Sequence, residues 1–93
     1  MASISIKFTV TPSANVSDYW ITAAGNDVQL NGGVGSTTLS SPGSYILVWH
    51  FEGPAGETLS IAGTNGNTAV VQVKQSTIPD GESAGAGSKR FTI

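Results

Sequence analysis

The chain has no cysteine, one histidine and only four lysine and arginine residues in 93 positions. Each scarcity removes a class of chemistry. Without cysteine there are no disulfides, no thiolate metal sites and no cysteine nucleophile. That fits a reducing compartment, and it fits disulfide-free secreted domains equally well. With His50 as the only histidine, the usual zinc sets of three or four side chains cannot be assembled, and no metal is expected. Lys7, Lys74, Lys89 and Arg90 face six carboxylates, for a net charge of −2. Nucleic-acid affinity rests on clustered cations, so no nucleic-acid partner is expected. The same shortage argues against binding to anionic membranes.

Charged residues make up only 11% of the chain, so its solvated surface must be built from Ser, Thr, Asn, Gln and Gly. Such surfaces are common on extracellular, cell-surface and viral β-proteins. No run approaches the roughly 18 apolar residues of a membrane-spanning helix, and no membrane insertion is expected. The N-terminus, MASISIKFTVTP, alternates polar and apolar and lacks a basic stretch followed by an apolar one. It is not a signal peptide, which leaves a cytoplasmic location or export by another route.

Helical periodicity is absent too. Gly, Thr, Ser and Val are poor helix formers, and apolar residues recur at every second position instead. Residues 1–93 suit a single domain. A first strand is predicted over Ser3–Val10, with Ile4, Ile6, Phe8 and Val10 facing inward. Further strands are predicted over Ser17–Ala23, Val28–Leu30 and Ser44–Glu52, with a short one over Thr37–Leu39. Glu57–Ala62 and Thr68–Gln75 should pair across GTNGN, where Asn65-Gly66 is a strong hairpin signal. A type II turn is predicted at Ser41–Ser44, because Pro42-Gly43 suits its two central positions. Ser76–Ser88 reads as a polar loop, and Lys89–Ile93 as a closing strand. About seven short strands with regular turns predict an antiparallel β-sandwich, with a small β-barrel as the alternative.

The longest apolar run is Ser44-Tyr-Ile-Leu-Val-Trp-His-Phe51. Alternation puts Tyr45, Leu47, Trp49 and Phe51 on one face and Ile46, Val48 and His50 on the other. The first set is the predicted core. Three arrangements would account for the second. The 76–88 loop could fold over it and bring Ile78. Neighbouring strands could add Val70 and leave an exposed apolar patch. The strand could also be central in a tightly wrapped barrel.

The segment Pro42–Glu57, PGSYILVWHFEGPAGE, resembles the core tryptophan strand of immunoglobulin-like sandwiches. Trp49 stands mid-strand between a Pro-Gly turn and a Gly-rich one. The resemblance implies an immunoglobulin-like arrangement of sheets and carries no catalytic or ligand-binding residue with it. Two hallmarks of antibody domains are missing, the cysteine pair and a tyrosine corner.

Chemistry-bearing constellations are few. Glu52 follows His50 by two positions on the same strand face, so an ion pair is expected, but no nucleophile motif accompanies it. No catalytic residue is assigned. Asp27, Asp80 and Glu82 lack the clustering that calcium needs, and NGGVGS lacks the lysine and helix of a phosphate loop. No cofactor is expected. Trp20 has two readings: buried, or exposed on the face opposite Tyr19 and Ile21. An exposed Trp20 would be a platform for a glycan or an anchor for a protein. The sequence therefore points to a non-catalytic binding or interaction module, with Ile46, Val48, His50 and Trp20 as candidate binding residues. Another protein or a glycan is the expected partner. A structural or surface-exposed antigenic domain is the alternative.

Overall fold

A computed structural model describes residues 3–93. Eight strands follow one another without a helix: β1 (Ile4–Pro12), β2 (Asp18–Ala23), β3 (Asn26–Val28), β4 (Val34–Leu39), β5 (Ser44–Glu52), β6 (Thr58–Asn65), β7 (Thr68–Thr77) and β8 (Ala84–Thr92). They form two antiparallel four-stranded sheets, ordered β4-β1-β6-β7 and β3-β2-β5-β8. Neither sheet closes on itself, so the architecture is a sandwich and not a barrel. β1 and β2 lie in opposite sheets, whereas the immunoglobulin constant order places its first two strands side by side.

The core follows the period-two pattern. Ile6, Phe8 and Val10 of β1 meet Ile21, Leu47, Trp49 and Phe51 from the facing sheet, and all are buried. Phe8 packs edge-on against Phe91 of β8 with ring centroids 6.2 Å apart. Trp49 reaches across the sandwich, and its indole N–H donates to Ser76 Oγ of β7 at 3.0 Å. Its one polar atom is thereby satisfied inside an apolar layer.

The turns follow glycine. β6 and β7 are joined by Gly66-Asn67, with Gly66 at φ 62°. A left-handed first position is what a type II′ hairpin requires. The turn pair is therefore displaced by one residue from the predicted Asn65-Gly66. The predicted type II turn at Ser41–Ser44 does not form. Gly43 exchanges hydrogen bonds with Ile93 in both directions, which extends the β5–β8 ladder past Ser44.

The segment predicted as a loop over Ser76–Ser88 is mostly strand. β7 runs on to Thr77 and β8 begins at Ala84. Sequence alternation fails here because the inward positions Gly85 and Gly87 carry no side chain. Phe51 and Trp49 of the neighbouring β5 fill that space: a Cβ on Gly85 would lie 2.7 Å from Phe51 Cε1, and one on Gly87 would overlap the Trp49 indole.

A carboxylate ties the β1–β2 connection to β6. Glu57 Oε1 accepts hydrogen bonds from the Asn15 backbone N–H and the Ser13 hydroxyl, both at 2.9 Å. Those bonds favour the charged form and hold the Glu57 carboxyl below its usual value, led by the Asn15 bond. A carboxyl depressed in the folded state adds stability above its unfolded pKa, and that stability is lost as pH falls through the folded value. Glu57→Gln should therefore flatten the acid limb of a stability-against-pH curve below about pH 4.5. Urea titrations at successive pH values check this; parallel acid limbs for parent and variant would remove Glu57 from the account.

Candidate functional site

The outer face of the β3-β2-β5-β8 sheet collects the candidate residues. Register decides their neighbours. Trp20 on β2 lies opposite His50 on β5, which lies opposite Ala86 on β8. The adjoining row is Thr22, Val48 and Ser88. Ile46 and Arg90 pair towards one end of the face, and Asp18, Glu52 and Ala84 form the row at the other. β5 is thus central in its sheet, but its second face is open. All four residues expected from the sequence lie on this one surface.

The loop does not cover them. Ile78 turns into the core and is only 1% exposed, while Ile46 and Val48 are 41% and 42% exposed. Val70 does not join them either, because it belongs to β7 in the opposite sheet and is half-buried against the core. Trp20 takes the exposed reading, at 43%. Tyr19 and Ile21 point inward, so strand geometry turns Trp20 out.

Trp20 is nonetheless held in place. Its ring stacks on the His50 imidazole with centroids 4.2 Å apart and planes 22° from parallel. His50 Nε2 in turn lies 3.9 Å from Glu52 Oε2, the contact expected from their spacing. Both side chains are substantially exposed, so an ion pair there is weak. The stack covers one side of the indole and leaves Trp20, His50, Val48 and Ile46 on one surface. Acidic side chains border it at one end and Arg90 at the other.

The contacts of the His50 side chain are the Trp20 ring and Glu52, and among the described residues no three His, Cys, Asp or Glu side chains group as metal ligands. Among the described residues, no helix is long and apolar enough to cross a membrane. Beside Trp20, where β3 stops short of pairing with the start of β2, a shallow cleft of about 440 Å³ opens between the ring, Asp27 and Gln29. The sequence pattern could not have found it, since it depends on where β3 ends.

Compared with known proteins, the chain matches no family model, no curated protein and no solved structure.

Proposed function

We propose that the domain is a non-catalytic binding module whose outer β2–β5–β8 face receives another protein. One observation carries this reading: Trp20, Ile46 and Val48 are exposed together on adjoining rows of a single sheet face. Large apolar side chains scattered singly on a surface need no explanation, but a contiguous set with an ordered aromatic at its edge is what partner surfaces present. Ile46, Val48 and His50 line none of the clefts described, and a protein suits such a face better than a small molecule, which binds in concave sites. The likeness to immunoglobulin-like domains remains part of this proposal, resting on the paired sheets and the core tryptophan strand.

Val48→Asp tests it. The side chain is exposed, so the melting temperature should fall by only a few degrees, for a loss of about 1 kcal/mol of strand preference. Affinity for a partner, or for a second copy, should fall at least tenfold, with chemical-shift changes centred on Trp20, Ile46, Val48 and His50. A partner that binds the variant as well as the parent would place the interface elsewhere.

A glycan is the second reading. The Trp20 ring beside Asp27 and Gln29 combines an apolar plate with polar side chains that could meet sugar hydroxyls. An oligosaccharide that shifts Trp20, Asp27 and Gln29, and is indifferent to Val48→Asp, would favour it.

A further inference from the structure

Lys74 lies fifteen residues before the adjacent Lys89 and Arg90, yet the three cations gather at one seam. β7 and β8 are the last strands of their sheets and lie on the same side of the sandwich. Lys74 and Lys89 line a cleft of about 410 Å³ between them, together with Gln72, Gln75 and Ser88. Lys89 and Arg90 line a second depression of about 270 Å³ further along the same seam. None of the six carboxylates lines either one. Lys89 Nζ donates to the Gln72 carbonyl at 2.7 Å, which bridges the two sheets and leaves two ammonium N–H groups for another acceptor. Among the described residues, none of the three cations is paired with a carboxylate.

The seam also contains a free strand edge. β8 pairs only with β5, and its register runs unbroken from Ser44↔Thr92 to Glu52↔Ala84. It has no proline and no bulge, whereas the β6–β7 ladder is shifted at two points. Half of the backbone donors and acceptors of β8 therefore face outward along a regular edge. Lys89 and Arg90 are consecutive, so one stands over the cleft and the other on the outer face. Two such basic edges repel each other, which disfavours pairing between copies. The same charges favour a strand of opposite sign.

We propose that the β8 edge accepts an extended acidic peptide as an added strand, with consecutive carboxylates meeting Lys89 in the cleft and Arg90 on the outer face. Main-chain bonding along the edge supplies affinity and the two cations supply selection, as in other strand-addition complexes. This edge meets the Trp20–Val48 face at Arg90, which pairs with Ile46, but the proposal does not depend on what that face binds.

The test uses the isotope-labelled 93-residue protein. It is titrated with a blocked peptide carrying two adjacent glutamates among threonines and valines, and with the same peptide carrying glutamines. The glutamate peptide should bind at least tenfold more tightly, shift the β8 amides from Ala86 to Thr92 and protect edge amides from exchange. Arg90→Gln and Lys89→Gln should each weaken binding severalfold. Lys89→Gln also removes the bond to Gln72, so Arg90→Gln, which removes no hydrogen bond within the fold, is the deciding variant. Equal affinity for the two peptides, no binding by either, or shifts away from β8 would overturn the proposal. So would tighter binding of a sulfated oligosaccharide without protection of the edge amides.

Discussion

Trp49→Ala should lower stability by about 3–5 kcal/mol, the range for removing a large buried aromatic. Trp49 is 7% exposed and lies in the middle of β5, one of the two inner strands of its sheet. Its removal empties the space above Gly87 and leaves the Ser76 hydroxyl without its donor. Gly85 and Gly87 of β8 offer no side chain to refill the gap. A chain of this length is stable by only about 5–14 kcal/mol, so the variant should be marginal. At roughly 4–8 °C per kcal/mol, its melting temperature should fall by about 12–40 °C. Circular dichroism melts of Trp49→Ala and Trp49→Phe beside the parent measure this. The phenylalanine variant retains most of the ring and should fall between the other two. A Trp49→Ala melt close to the parent's would mean that the tryptophan is not a core residue.

Gly87→Val should destabilise from the opposite direction, by crowding. Any Cβ at this position overlaps the Trp49 indole, and the ring is fixed by its bond to Ser76. Overpacking of this kind costs about 1–3 kcal/mol and sometimes more, because ring or strand must move. The comparison with Ala86→Val is informative. Ala86 is the next residue, faces solvent and should tolerate or gain from a β-branched side chain. Valine is a better strand former than glycine or alanine, so propensity alone predicts that both substitutions help. Opposite signs at adjacent positions would show that packing overrides propensity on β8. A double-mutant cycle of Gly87→Ala with Trp49→Leu should recover part of the loss, since the smaller side chain vacates the contested space. Additive losses would mean that the two sites do not touch.

β5 and β8 show why some elements were legible in the sequence and others were not. On β5 every inward position from Tyr45 to Phe51 is large and apolar, so alternation identified the strand and its faces before any partner was known. On β8 the inward positions are Gly85, Gly87, Lys89 and Phe91, and alternation is nearly silent. The strand exists because β5 overhangs it. A residue whose role is to leave room cannot be recognised without the neighbour that needs the room. β4 was only half legible for a related reason: its start at Val34 and Gly35 follows a Gly-rich turn and shows no alternation of its own.

The candidate surface divides in the same way. Ile46, Val48 and His50 could be placed on the second face of β5 because the period of a strand is local. Whether anything covered that face was a long-range matter. It was decided by Ile78 turning inward and by Val70 belonging to the other sheet. The stacking of Trp20 on His50 required the β2–β5 register, and the gathering of Lys74, Lys89 and Arg90 required β7 and β8 to end their sheets on the same side. Period and composition alone establish an all-β chain, its core faces and its scarcity of histidine and cysteine. Which strands are neighbours, and therefore which exposed and charged side chains share a surface, is fixed by the folded arrangement. Pairing between strands distant in the chain is set by the packing of the whole core, which no local pattern records.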